Sequence, residues 1–298
     1  MKKRYIFICV VLFAVSASVA VVQMDFSKVE IQTTKVAGNV YMLHGQDDAK
    51  AFSGGNIAVS VGDDGVLMVD SKFAPLSDKI KKAIKSLGGD SPKYILNTHV
   101  HPDHIDGNPV YRNDGTVIGH VNIRKRLMDD EKPADTWPTI TFDQTLSIHM
   151  NGEEIKAVHY PKGHTDGDGV IYFMGSNVVH MGDHFFNGML PYIDLDSGGT
   201  VQGYVINVKA MYDSFPDDTK IVPGHGPLAT KDDLKTSIRM LDETITLVTD
   251  KMHAGKSLAE IQAEGLQEEW DSWSWSFIPT KRWIEIIYNS HSEAAGSQ

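Results

Sequence analysis

Three histidines and one aspartate lie within six positions of this chain: His99, His101, Asp103 and His104. Neutral imidazole nitrogen and carboxylate oxygen are ligands that zinc takes in proteins, and a two-metal centre needs about six to eight such donors. This one segment offers four of them. A fold that carries it must therefore bring further donors to the same place from distant parts of the chain.

A short apolar strand leads directly into the histidine segment. Residues 94–97 (YILN) have the apolar character of a buried strand. Upstream, residues 40–44, 56–61 and 65–70 predict antiparallel strands, and residues 76–87 predict a helix because their apolar side chains recur at helical spacing. The histidines should therefore lie in a loop at a strand end, where ligands can converge on a rigid scaffold.

Three more strands are each followed by a glycine-containing turn that carries a candidate ligand. His164 follows a strand predicted to end at residue 160, Asp183 follows one ending at 181, and His225 follows one ending at 222. Glycines let the backbone turn sharply beside a metal site. The remaining elements are predicted strands at 117–119 and 169–173 and predicted helices at 121–128, 201–215 and 231–253.

These motifs, in this order and each after a strand, resemble those of the metallo-β-lactamase superfamily. The resemblance covers about residues 40–228. It implies an α+β fold, a four-layer αββα sandwich with the site at one edge between the two sheets. We expect residues 21–298 to form this metallo-β-lactamase-fold domain, with a helical C-terminal extension over about 231–298.

The resemblance also implies a role for each candidate ligand. Asp183 resembles the carboxylate that bridges the two metals in the dinuclear hydrolases of the superfamily, where some true β-lactamases carry a cysteine. Zinc, with two ions per chain, is the implied cofactor. The other six donors divide between the two ions: His99, His101 and His164 for the first, and Asp103, His104 and His225 for the second.

Such a pair of ions predicts hydrolytic chemistry. Two dications lower the pKa of a shared water from about 15.7 toward ~7, so that hydroxide forms at neutral pH and can attack an acyl carbonyl. We expect Asp103 and Asp183 to be the catalytic residues. Asp103 would serve both as a ligand and as the acceptor that orients the water. The expected reaction is hydrolysis of a C–O, C–N or C–S acyl bond.

The substrate is expected to be a small molecule, and several classes stay open. A β-lactam or another cyclic amide or ester is the first interpretation, and a thioester of the glyoxalase II type and a lactone are alternatives. A mononuclear-iron persulfide dioxygenase is an alternative outside the hydrolases. Residues 187–192 contain no lysine or arginine to hold an antibiotic carboxylate, which predicts weak β-lactam turnover. His184, Asn187 and Tyr192 are candidates for the substrate pocket or for contacts behind the ligands.

The first 20 residues have the pattern of a secretory signal peptide. Three cations precede an apolar run and a small-residue cleavage pattern. This predicts a periplasmic or secreted protein with no stable membrane anchor after cleavage. The single cysteine, Cys9, lies in this segment, so no thiolate ligand is expected in the mature chain. The net charge of −11 argues against nucleic acid as a partner.

Overall fold

The computed structural model describes residues 25–45 and 53–296, and the predicted signal peptide lies outside these ranges. The described chain forms two sheets. The first sheet has its seven strands side by side in chain order: β1 (Gln32–Ala37), β2 (Val40–His44), β3 (Ile57–Gly62), β4 (Gly65–Val69), β5 (Tyr94–Leu96), β6 (Thr116–His120) and β7 (Ile140–Phe142). The second contains β8 (Thr145–Met150), β9 (Glu153–His159), β10 (Gly169–Phe173), β11 (Val178–Phe186) and β12 (Lys220–His225), in the spatial order β12-β11-β10-β9-β8.

The helices lie between and after these strands. Side-chain caps fix the starts of two of the C-terminal helices, where Thr230 and Asp233 form one capping box and Ser257 and Glu260 form another. The α-helices are α1 (Ser77–Ser86), α2 (Pro102–Ile105), α3 (Asn108–Tyr111), α4 (Val121–Asp129), α5 (Val201–Ser214), α6 (Lys231–His253), α7 (Leu258–Glu264), α8 (Glu268–Asp271) and α9 (Thr280–Gly296). Within the described ranges, no helix combines the length and the apolar character needed to cross a bilayer.

Strand β4 shows how the sequence builds the layers. Its side chains alternate, so that Leu67 and Val69 enter the core between the sheets while Val66 and Met68 pack toward α1. The core between the sheets also takes buried side chains from the second sheet, such as Phe173. The outer face of the second sheet packs against α5, α6 and α9. The expected four-layer αββα sandwich is therefore confirmed.

Some elements differ from their predicted bounds. Strand β11 was expected to end at residue 181, but it continues to Phe186, with register shifts against β12 and a left-handed backbone at Gly182 (φ +52°). Asp183 therefore lies within a strand. The sequence did not predict β1, β7 or β8, because few of their side chains are buried and their pairing depends on distant neighbours.

Candidate metal centre

The seven predicted ligands meet at one edge of the sandwich. Both sheets contribute: the segment after β5 brings His99 to His104, the loop between β9 and β10 brings His164, and β11 and β12 bring Asp183 and His225. The donor atoms fall into two groups, and within each group they all lie within 4.8 Å of one another. These groups are His99, His101, His164 and Asp183, and Asp103, His104 and His225.

Asp183 lies between the two groups. Its Oδ1 is 3.1 Å from Nε2 of His104. Its Oδ2 is 3.5 Å from Nε2 of both His164 and His225. One carboxylate thus faces histidines of both groups. A ligand that bridges two metal ions, the role expected for Asp183, needs such a position.

Hydrogen bonds on the far side of the imidazoles orient the donor nitrogens toward the centre. Nδ1 of His104 lies 2.7 Å from Oδ2 of Asp70, and Nε2 of His101 lies 2.8 Å from Oδ2 of Asp194. Nδ1 of His164 lies 2.8 Å from the Tyr192 carbonyl oxygen. Such partners fix the tautomer of a metal-binding histidine, leaving its other nitrogen unprotonated for the ion.

Sequence reasoning missed both of these aspartates. Asp70 directly follows β4, and its carboxylate also accepts hydrogen bonds from the backbone N–H and the hydroxyl of Thr98. Asp70 reaches the start of the histidine segment because β4 lies parallel to β5, a pairing that the sequence did not predict. Asp194 lies in an irregular segment after β11, where no local pattern marks it.

A close backbone approach completes the packing of the cluster. The backbone N–H of Gly55 donates to the carbonyl oxygen of Asp103 at 3.2 Å. A Cβ atom at Gly55 would collide with the imidazole of His104. Glycine at this position therefore lets the segment before β3 pass directly beside the ligands.

Burial and charge set the protonation of the cluster. Burial, helped by neighbouring imidazoles, lowers the pKa of His99 well below 6.5 and that of His164 to about 4. Burial opposes ionisation of Asp183 too, but the histidines around it, led by His104, hold its pKa well below 3.8. The pKa of His104 is raised well above 6.5, because nearby carboxylates, led by Asp183, outweigh its burial. The cluster therefore combines an ionised carboxylate with two neutral imidazoles, those of His99 and His164, and a protonated one, that of His104.

These donors fit divalent metal ions of the zinc type. Nε2 of His99 is buried and has no hydrogen-bond partner among the described residues, and the Oδ2 atom of Asp183 lies 3.7 Å away. An unpaired buried nitrogen that faces a carboxylate is costly unless an ion binds between them. Nitrogen and oxygen donors without thiolate suit zinc and related first-row metals.

A buried lysine lies behind this centre and was also missed. Nζ of Lys72 donates to the Gly54 carbonyl oxygen at 3.0 Å. Burial lowers the pKa of Lys72 to about 8, although Asp103 and Asp70 favour its charged form. Its ammonium therefore adds positive charge behind two of the acidic groups.

A cavity of about 380 Å³ opens onto the centre. Asp103, Asp183 and His225 lie on its floor, and aromatic side chains form most of its walls. We call Tyr192, Trp275 and Phe277 the aromatic rim. The rim joins the loop after β11 to the segment between α8 and α9, so the tryptophan-rich segment contributes directly to the cavity.

The three predicted pocket residues lie in different places. Tyr192 lines the cavity. His184 is fully buried behind the ligand loop, where it stacks on Tyr204 at 5.7 Å and lies 3.3 Å from Nδ2 of Asn207. Asn187 does not line the cavity either. Its side chain donates to the carbonyl oxygen of Pro227, and its backbone N–H donates to the carbonyl oxygen of His225. Of the two roles expected for these residues, a place in the cavity lining is taken by Tyr192, and His184 and Asn187 lie beside the ligand segments instead.

Comparison with known proteins assigns the family. A family model described as the metallo-beta-lactamase superfamily matches residues 52–249, so the chain belongs to that superfamily. It is 28% identical over 166 residues to a hydroxyacylglutathione hydrolase from Pelagibacter ubique, covering 51% of this chain and 64% of the relative. It is 24% identical over 227 residues to a metallo-beta-lactamase type 2 from Elizabethkingia meningoseptica, covering 72% and 86%.

Solved structures agree at the level of the fold. A metallo-beta-lactamase from Pontibacter korlensis aligns with a TM-score of 0.61 over 72% of this chain and 99% of its own, at 17% identity. The superfamily relatives are metal-dependent hydrolases. Family, fold and site together place the chain in that class of enzyme.

Proposed function

We propose that this protein hydrolyses an acyl bond with two zinc ions held by the seven donors. The observation that supports this most strongly is the position of Asp183 between two groups that each supply three further donors. His99, His101 and His164 would hold one ion, and Asp103, His104 and His225 the other, with Asp183 shared. A site for one ion would leave three buried donors without a role.

The side chains around the centre suit this chemistry. Bound zinc ions would supply a water of lowered pKa and a positive charge that polarises the substrate carbonyl. The Asp103 carboxylate lies on the cavity floor, where it can accept a hydrogen bond from the attacking water and orient it. The imidazole of His101 stays fixed through Asp194, and the aromatic walls can bind an apolar part of the substrate while excluding bulk water.

The names of two relatives support the proposed substrate classes. A cyclic amide or ester, including a β-lactam, is our first proposal, since one relative is named a metallo-beta-lactamase. A thioester is the second, because another relative is named a hydroxyacylglutathione hydrolase. A lactone fits the same donors. The persulfide dioxygenase alternative keeps the same motif and differs in its metal, since it would hold one iron where the hydrolase would hold two zinc ions.

We propose a periplasmic or secreted location on the strength of residues 1–20 alone. The partner is a small molecule that fits a cavity of about 380 Å³. Nucleic acid does not suit the net charge of −11.

A hydrolysis screen tests the proposal. Purified protein loaded with zinc is incubated with nitrocefin, simple lactones and acyl thioesters, each with and without a chelator. We expect hydrolysis of at least one class, lost with the chelator and restored by zinc. Oxygen consumption with bound iron, without hydrolysis of any class, would overturn it.

A further inference from the structure

Arg282 lies at the mouth of the cavity, in the first turn of α9. Its Cζ is 5.4 Å from the ring centre of Tyr192 and 5.2 Å from that of Phe277. Both rings line the cavity, and they contact each other edge to face with their centres 5.4 Å apart. Because a guanidinium is attracted to aromatic faces, these two rings hold the charge of Arg282 beside the rim.

The other arginines with described contacts use their donors elsewhere. Arg126 forms a bidentate pair with Asp166, and Arg239 pairs with Glu269. Among residues 25–45 and 53–296, no ion pair includes Arg282, and its side chain is exposed. Its positive charge is therefore held in place but not neutralised by a carboxylate of the described chain.

Tyr192 connects this cation to the metal centre. Its ring centre lies 5.7 Å from that of His101 on one side and 5.4 Å from Cζ of Arg282 on the other. A bound molecule whose reacting carbonyl lies over the cavity floor could thus place a second group beside Arg282, about one aromatic ring away. Residues 187–192 contain no lysine or arginine, and Arg282 of α9 places a cation beside the Tyr192 ring.

We propose that Arg282 binds a carboxylate of the substrate, so that the preferred substrate is an acyl ester or amide with a carboxylate distant from the bond that is cut. This inference rests on the proposed hydrolase function. A guanidinium offers a planar pair of N–H donors that matches a carboxylate. Arg282 is then a specificity-determining residue and takes no part in the bond cleavage.

A matched pair of esters tests the inference by kinetics. Mono(4-nitrophenyl) glutarate carries a terminal carboxylate where 4-nitrophenyl pentanoate carries a methyl group. Arg282→Gln should raise KM for the glutarate ester by about tenfold, the low end of the range for a hydrogen bond to a charged group, with little change in kcat. The pentanoate ester should be affected less than about threefold, because it makes no such bond. Arg282→Lys should fall in between.

Lys281→Gln is the control variant. It removes the same charge from the preceding residue of α9, and the exposed Lys281 side chain does not line the cavity. It should leave both esters unaffected. Equal loss for both esters in Arg282→Gln, or an equal effect of Lys281→Gln on the glutarate ester, would overturn the inference.

A binding measurement separates this inference from the proposed hydrolase activity. Glutaric acid monoanilide and pentananilide are titrated into metal-free protein by isothermal titration calorimetry. We expect the anionic anilide to bind about tenfold more tightly, and this preference to disappear in Arg282→Gln. If no class in the hydrolysis screen and neither ester is hydrolysed but the preference is present, the hydrolase proposal fails, and binding of a carboxylate by Arg282 is still supported. If the esters are hydrolysed but the protein shows no preference for the anionic ligand, only the inference about Arg282 fails.

Discussion

The floor and the rim of the cavity are built in different ways. We call all seven donors together the floor. They are mostly buried, both sheets contribute them, and some have fixed partners such as Asp70. The rim comes from the segments after β11 and α8, and Phe277 is 39% exposed. In the proposed hydrolase, the rigid floor would determine which bond is cut, whereas the exposed rim, with Arg282 beside it, would determine which molecule is accepted.

The largest effect is expected on the floor. Asp103→Ala removes both a donor of the second group and the acceptor for the attacking water, so kcat should fall by about a thousandfold or more. Steady-state kinetics on any substrate found by the screen measures this, with circular dichroism to check that the fold persists. Asp106→Ala is the control, since Asp106 is exposed and contacts the Ala74 backbone instead. Near-normal activity of Asp103→Ala would contradict the assigned mechanism.

A smaller effect is expected one contact behind the floor. Asp194→Asn keeps a hydrogen-bond acceptor for His101 but removes the charge, so zinc affinity or activity should fall about 10–100-fold. Competition with a chromogenic chelator measures the affinity. Asp196→Asn is a matched control two residues further on, with an exposed side chain. If the two variants bind zinc equally well, the carboxylate of Asp194 does not support the floor.

Changes at the rim should leave the floor intact. Phe277→Ala removes a ring that packs on Tyr192 at 5.4 Å, so KM for substrates with an apolar body should rise roughly 3–10-fold. The zinc content and kcat should change little. A large loss of zinc in this variant would show that floor and rim are not separable.

The smallest effect is expected for His120, a buried histidine that belongs to neither the floor nor the rim. Burial and the stacked His159 ring, 3.7 Å away, lower the pKa of His120 from 6.5 to about 4. The unfolded chain therefore takes up this proton at a higher pH than the folded protein. The stabilising contribution is present above pH 6.5 and is lost as the pH falls toward 4.

His120→Gln should consequently flatten the pH dependence of the free energy of unfolding. We expect a difference of about 1 kcal/mol across this pH range, measured by urea unfolding at several pH values. Zinc content should stay that of the wild type, because His120 contacts none of the seven donors. An unchanged slope would show that the imidazole of His120 titrates normally in the folded protein.

The floor was predictable from the sequence because its signals are local. The donors are histidines and aspartates in short motifs that follow predicted strands, and local patterns find such positions. Asp70, Asp194 and Arg282 were missed because their roles depend on which distant segments meet. The extended end of β11 was missed for the same reason, since its pairing with β12 across a register shift is a property of the folded chain.

The zinc content of the wild-type protein tests the central claim most directly. The protein is stripped with a chelator, reconstituted with excess zinc, dialysed and measured by inductively coupled plasma mass spectrometry. Our account predicts two zinc ions per chain, with fewer than two retained by His225→Ala. A wild-type protein that holds a single ion after reconstitution, with His225→Ala holding the same amount, would contradict it.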